Sequence, residues 1–269
     1  FKQKTAYEIR LSLVGSEMCI RDSIWTGQRE NAAFKDYSTD ITEGMVVLDA
    51  VHQIQAETAP TLACRWNCKA GKCGSCSAEI NGKPKLMCMT RMDTIDTSKP
   101  VTIEPMKAFP HIKDLVTDVS WNYRVKKQIK PFKPRKPDFP DGTWKIDQAD
   151  VDRVQEFRKC IECFLCQDVC HVLRDHHKHP EFAGPRHFVY IAALEMHPLD
   201  TENRLEHLKD EGGLGYCNIT KCCTKVCPEN ITITDNAIIP LKERVVDEFY
   251  DPLTRLFRMF KPKKADANV

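Results

Sequence analysis

The sequence predicts an α+β chain, β-rich in its amino-terminal part and helical in its carboxy-terminal part. Three observations carry this reading: short β-type segments punctuated by glycine before residue 105, a proline-rich basic stretch from 106 to 142, and apolar residues at helical spacing after 143. The predicted organisation is therefore a domain over 1–105, a connector over 106–142 and a helical domain over 143–269.

In the first domain, Tyr37 to Ile41 reads as a strand. Gly44 marks a turn, and Val47, Val51 and Ile54 share one face of a short helix that packs on the sheet. A cysteine-rich loop follows over 64–76, where Gly71 and Gly74 suit a backbone that must wrap tightly. Ala78 and Ile80 lead into the turn pair Asn81-Gly82, and a last strand lies around Val101 to Ile103. The connector carries Pro110, Pro131, Pro134, Pro137 and Pro140, which leave room for one helix near Ile112 to Val125. Its basic run, Arg124, Lys126, Lys127, Lys130, Lys133, Arg135 and Lys136, lacks a recognition motif or interleaved aromatics, so it reads as a solvated or partner-facing linker without a nucleic-acid role. In the third domain Asp147 is the expected N-cap of a helix with Asp150 at N3, Pro185 opens a second helix, and Leu241 to Phe249 forms a third.

Composition bounds the chemistry. The net charge of +2 says little about partners. No apolar run reaches the roughly 18 residues of a membrane helix; the longest, Phe188 to Met196, is interrupted by Glu195. The opening FKQKTAYEIRLSLVG lacks the apolar stretch and cleavage site of a secretory signal, which points to a reducing compartment. Fourteen cysteines, many of them two and three residues apart in tight runs, suit metal ligation better than disulfide bridging.

The first constellation is Cys68, Cys73, Cys76 and Cys88, with four-residue, two-residue and eleven-residue gaps. The first two gaps match the plant-type spacing for a 2Fe-2S cluster, and zinc is the main rival for four thiolates. Cys64 fits the pattern badly and is read as a buried or supporting thiol. Cys160, Cys163, Cys166 and Cys170 form a second run, and Cys217, Cys223 and Cys227 a third of similar shape, followed by Pro228. In two-cluster ferredoxins each run lends its fourth cysteine to the other cluster. By that rule Cys160, Cys163, Cys166 and Cys227 hold a 4Fe-4S cluster, and Cys170, Cys217 and Cys223 a 3Fe-4S cluster. Thr220 stands where the missing cysteine belongs. Cys222 is nearby at the wrong offset, and a helical or extended backbone would point it away from Cys223; the alternative to a three-iron cluster is Cys222 as an unusual fourth ligand. The domains accordingly read as a plant-type ferredoxin of β-grasp type followed by a helical bacterial-type ferredoxin. No catalytic base or nucleophile is evident. His111, His171, His176, His177, His179, His187 and His197 read as surface or capped residues.

These motifs resemble a known family. CRWNCKAGKCGSCSAEINGKPKLMC, CIECFLCQDVC, CNITKCCTKVCPENI, GPRHFVYIA and HPLDT are similar to the iron-sulfur subunit of succinate dehydrogenase and of its relative fumarate reductase, from about Trp25 to Phe260. The resemblance implies an electron relay from FAD on a partner flavoprotein that oxidises succinate, through the three clusters, to quinone at membrane anchor subunits in which haem is an optional group. It implies a peripheral position on the cytoplasmic face of a bacterial inner membrane, with no transmembrane helix of the chain's own. It also implies a quinone site near the 3Fe-4S cluster, for which His171, Arg174, Thr220 and Lys221 are polar candidates. His171 replaces the proline of many relatives, and VLRDHHKHPE lacks their quinone-contacting tryptophan. Residues 9–23, IRLSLVGSEMCIRDS, do not look like the family's first strand and resemble translated sequencing-adapter sequence; Cys19 is given no functional weight. The rival functions are physiological fumarate reduction, a soluble dehydrogenase partner, and a structural zinc module or nucleic-acid adaptor.

Overall fold

A computed structural model describes residues 18–28 and 31–252. The chain divides into two compact units. The first comprises the residues up to Trp121 with Ile161–Val169 and Val226–Glu229, and the second comprises Asn122–Cys160, Cys170–Lys225 and the chain from Asn230 onward.

The first unit is built on a mixed five-stranded sheet. Strand β1, Met18–Thr26, pairs antiparallel with β2, Ala33–Ile41, along its whole length. The hairpin of β3, Ser77–Ile80, and β4, Lys83–Leu86, joins through β5, Val101–Glu104, which runs parallel to β1; the order is β2-β1-β5-β3-β4. The two-residue turn needs positive φ at both positions. Asn81 and Gly82 supply it at 50° and 69°, and Asn81 Oδ1 accepts from Thr102 N at 2.8 Å, fastening the turn to β5. Helix α1, Val47–Glu57, buries Val47, Leu48, Ala50, Val51 and Ile54 in one core with Ile24, Ile80, Val101 and Ile103. Its period-3.6 apolar face thus meets the period-2 apolar face of the sheet.

Two expectations need correction. Residues 18–23 form part of β1, although this stretch does not look like the family's strand; ladder hydrogen bonds belong to the backbone, whatever the side chains. The misfit surfaces in the side chains instead. Asp22 is fully buried in a central strand, Thr39 donates to one of its oxygens, the other has no hydrogen-bond partner, and burial raises its pKa. Residues 9–17 lie outside the described residues. The helix expected from Ile112 is preceded by a small hairpin of β6, His111–Lys113, and β7, Val116–Thr117; helix α2 covers only Ser120–Gln128.

Asp114, in the turn of that hairpin, is a buried fastener: its two carboxylate oxygens accept from Gly27 N and Ala63 N, each at 2.7 Å. The second bond anchors the chain just before the cysteine loop. Asp114→Asn keeps the shape and the tolerance of φ 48° but aims an amide donor at one of the two N–H groups. A cost of about 1.5–3 kcal/mol is expected, read as a lower thermal midpoint of the purified complex.

The second unit is helical. Helix α3, Gln148–Gln155, follows Asp147, which occupies the N-cap position with extended φ and ψ but makes no side-chain capping bond; its carbonyl receives Asp150 N and Val151 N. Two short helices, α4 Leu165–Asp168 (first unit) and α5 His171–Arg174, frame the second cysteine run. Helix α6, Pro185–Glu195, begins with proline at its first position, and α7, Leu205–Asp210, follows. Helix α8, Cys222–Val226, precedes a single π-helical stretch, Ile233–Ile238, that runs directly into α9, Ile239–Phe249. Arg204 is the fully buried hub of this unit. It donates to the carbonyls of Lys130 and Pro131, at 2.7 Å each, and meets Asp200 at 2.9 Å and Glu195 at 3.4 Å. Residues 133–135 also exchange backbone bonds with Leu199 and Thr201, so this part of the proline-rich stretch is laced to its own unit. Several of its charges are engaged, Lys130 with Glu202 and Arg135 with Asp138.

Candidate cluster-binding site

The loop holding Cys68, Cys73 and Cys76 is shaped by left-handed residues at Lys69, Gly71 and Gly74. This winding turns backbone N–H groups inward: Ala70 N and Lys72 N lie 3.4 and 3.3 Å from Cys68 Sγ. Such donors stabilise a thiolate. Cys88 follows β4, so the Asn81-Gly82 hairpin returns it to the loop, and Met87 N donates to Cys76 O at 3.0 Å. Burial pushes the Cys76 thiol up to about 12, with the neighbouring Cys88 and Cys73 adding to the rise. Burial also pushes Cys73 upward, but hydrogen bonds from Ser75 and Cys68 outweigh it and bring it to about 7. Cys73 thus lies within reach of Cys68, and Cys76 within reach of Cys73 and Cys88. Cys64 is half-buried against the core, its thiol pushed to about 12 by burial and set towards Arg65 O at 3.6 Å. None of the thirteen cysteines whose side chains are described is joined in a disulfide.

Within the same unit the loop meets residues 161–169. A Cβ on Gly74 would lie 2.5 Å from Cys163 Cα, so only glycine permits the approach. Ser77 Oγ lies 2.8 Å from Cys163 O and 2.9 Å from Gly74 O, clasping the two segments. Asp168 accepts from Ala108 N at 2.9 Å, and Phe109 meets Phe164 edge-on. Cys163 and Cys166 are buried, and Cys227 is half-buried.

The two later cysteine runs repeat in backbone as well as spacing. Two and four residues after Cys160, Glu162 and Phe164 have φ of 55° and 62°; two and four residues after Cys217, Ile219 and Lys221 have φ of 63° and 61°. Thr220 thus occupies the conformational place of Cys163. In the second unit Cys170 and Cys223 are buried, and burial pushes their thiols to about 12 and about 11. Cys222 is close enough to influence both, and Cys217 close enough to influence Cys223. Cys223 Sγ also lies 3.5 Å from Thr234 Oγ1, on the π-helical stretch.

This donor set fits iron-sulfur clusters. Thiols raised by burial give up their protons when a cation takes the site, and cluster binding would supply that cation. Among the described residues, no three or more histidine, cysteine, aspartate or glutamate side chains stand grouped to hold a single metal ion.

The polar candidates are more scattered in character. His171 opens α5 directly after Cys170, with its ring 5.9 Å from that of His176. Arg174 ends the same helix, its N–H on Cys170 O. Lys221 pairs with Asp235 at 2.7 Å, and Thr220 Oγ1 lies 3.3 Å from Cys222 Sγ. Among the histidines, His187 corrects the surface reading. It is buried, its Nδ1 facing Ala183 O at 2.7 Å and its Nε2 facing Asn122 O at 2.9 Å, so it ties α6 to α2. Arg204 went unread because no motif marks it; the acid-rich frame around it, Glu195, Asp200 and Glu202, was its one signal.

The fold and the thiol constellations define an iron-sulfur electron-transfer protein. Residues 22–123 match the 2Fe-2S iron-sulfur cluster binding domain, and residues 156–231 the 4Fe-4S dicluster domain, which decides between iron-sulfur and zinc. The chain is 33% identical over 205 residues to the fumarate reductase iron-sulfur subunit of Mycobacterium tuberculosis, covering 74% of this chain and 80% of that one. It is 32% identical over 203 residues to the mitochondrial succinate dehydrogenase (ubiquinone) iron-sulfur subunit 1 of Oryza sativa, covering 73% and 70%. A chain of the Mycobacterium smegmatis Sdh1 complex in the apo form superposes with a TM-score of 0.85 at 57% identity, covering 88% of this chain and all of that one. The chain belongs to the iron-sulfur subunit family of succinate dehydrogenases and fumarate reductases. It is the electron-transfer subunit of such a redox complex, with a β-sheet 2Fe-2S domain followed by a helical iron-sulfur domain. No helix among the described residues is long and apolar enough to cross a membrane.

Proposed function

We propose that the chain relays electrons from FAD on a partner flavoprotein to quinone at membrane anchor subunits, in the direction of succinate oxidation, from a peripheral position on the cytoplasmic face of the membrane. The reading rests on the packing of Gly74 against Cys163, which brings the loop of the first ligand set against a loop of the second. In this reading Cys68, Cys73, Cys76 and Cys88 hold 2Fe-2S; Cys160, Cys163, Cys166 and Cys227 hold 4Fe-4S; Cys170, Cys217 and Cys223 hold 3Fe-4S. Bound clusters of these types supply one-electron steps at potentials set by cluster type, hydrogen bonding to sulfur and solvent exposure. The protein's part is to fix the thiolates, shield Cys76, Cys163, Cys166, Cys170 and Cys223 from water, and aim the Ala70 and Lys72 N–H groups at Cys68. Trp66 and Met89, 49% and 58% exposed beside the first loop, suit a docking face for the flavoprotein. His171, Arg174, Thr220 and Lys221 flank the last thiols and remain the candidates for shaping the quinone site; haem belongs to the anchors where it is present.

Succinate-dependent quinone reduction by the purified complex, followed with electron paramagnetic resonance during stepwise reduction, tests the relay. An oxidised three-iron signal and separate two-iron and four-iron signals are expected; zinc without inorganic sulfide would end the reading. Thr220→Cys is expected to hold a fourth iron permanently and to remove the oxidised three-iron signal from the isolated complex. Its persistence would contradict the assignment of Thr220 to the open ligand position.

A further inference from the structure

We infer that Cys222 is a reserve ligand that lets the cluster held by Cys170, Cys217 and Cys223 take up and release a fourth iron. The inference rests on the three-iron reading of that site. Sequence spacing argues against Cys222, because a helical or extended backbone would turn it away from Cys223. Cys222 and Cys223 open helix α8, but the chain reaches that helix through a sharp reversal. It passes through the left-handed region at Ile219 and again at Lys221, on both sides of Thr220. For a β-branched residue such as Ile219 that region is strongly disfavoured, so the reversal is imposed by the packed loop.

Its result is that Cys222 Sγ lies 3.3 Å from Thr220 Oγ1, the side chain standing where the repeat has Cys163. A sulfur two positions later thus stands beside the side chain of the open ligand position. Cys222 is also half-buried, a free thiol, and close to both Cys170 and Cys223. Cys222 thus lies near two of the three expected ligands, Cys170 and Cys223. The hydroxyl of Thr220 is a poor iron ligand beside them, since iron-sulfur clusters favour thiolate.

The step balances with ferrous iron as co-reactant. The oxidised three-iron core first accepts one electron. The reduced core then binds one Fe2+, the Cys222 thiol releases its proton to solvent, and its sulfur bonds to the added iron. The core charge rises by two and no further electron is exchanged. The reverse step returns Fe2+ and a protonated thiol.

The purified complex, reduced anaerobically with dithionite, is incubated with ferrous ammonium sulfate, freed of excess iron and reoxidised with fumarate. Wild type is expected to lose the three-iron resonance and to gain one iron per complex. Cys222→Ala is expected to keep both its signal and its iron count, while Thr220→Val, which removes the competing hydroxyl, takes up iron as wild type does. A three-iron signal that survives iron treatment in wild type overturns the inference and leaves the three-iron reading standing. Uptake that persists in Cys222→Ala, or is lost in Thr220→Val alone, also overturns it. A three-iron signal missing from the isolated wild type but present in Cys222→Ala supports the ligand role and revises the resting cluster type. Its absence from both overturns the three-iron reading and the inference together.

Discussion

Gly74→Ala is expected to yield a complex depleted in iron and sulfide at both the first and second ligand sets. Two costs combine. Position 74 has φ 68°, where a side chain costs roughly 1–2 kcal/mol. The added methyl would also sit 2.5 Å from Cys163 Cα and 2.9 Å from Cys163 N, atoms of a backbone that cannot swing aside. Relief requires the two loops to part, which breaks the Ser77 clasp and moves Cys73 and Cys76 relative to Cys163. Overpacking of this kind adds about 1–3 kcal/mol. Gly71→Ala is the internal control. Its φ of 66° carries the same conformational cost, but its methyl would meet only the exposed side chain of Met89 at 2.8 Å, which can rotate away. Iron content and the two-iron resonance should therefore fall far more in Gly74→Ala than in Gly71→Ala. Equal losses would show that the close approach carries no weight.

Arg204→Met is expected to destabilise the helical unit by about 3–5 kcal/mol, the range for removing one partner from a buried ion pair. The methionine restores the apolar volume but none of the donors. Asp200, almost fully buried, and Glu195 keep their carboxylates without the cation, and the carbonyls of Lys130 and Pro131 lose their bonds. Burial already raises the Glu195 pKa, and the N–H and charge of Arg204 act against that rise. The main-chain N–H survives the substitution, but loss of the charge and of the side-chain bond should drive Glu195 further towards its neutral form. For a chain of this size each kcal/mol moves the thermal midpoint by roughly 2–4 °C, so a fall of about 6–20 °C is anticipated by differential scanning of the intact complex. A triple variant that also carries Glu195→Gln and Asp200→Asn should recover part of the loss. Failure to recover would point to packing, with charge playing no part.

Much of the architecture could be read from residue order because its signals are local. The Asn81-Gly82 turn, the face formed by Val47, Val51 and Ile54, and Pro185 at a helix start each depend on a few adjacent residues. The ligand thiols were legible for the same reason, since the cysteine gaps are short. What escaped reading depends on distant partners. The hairpin at His111–Thr117 has no turn pair of its own and is fastened through Asp114 to Gly27 and Ala63. Arg204 draws two of its partners from carbonyls more than seventy positions earlier. His187 looked like one of several scattered imidazoles until Asn122 closed on it. The position of Cys222 depends on two left-handed residues, Ile219 and Lys221, that no propensity scale would place there. The sheet also formed across residues 18–23 despite their unfamiliar character, leaving Asp22 as the record of the mismatch.

The paired left-handed residues at Glu162 and Phe164, and at Ile219 and Lys221, make each loop a stretched spring. Each such residue holds roughly 1–3 kcal/mol that the packing around it must restrain. A substitution that loosens the packing at one of these pairs is expected to let its loop relax and to carry the cysteines on either side out of register together.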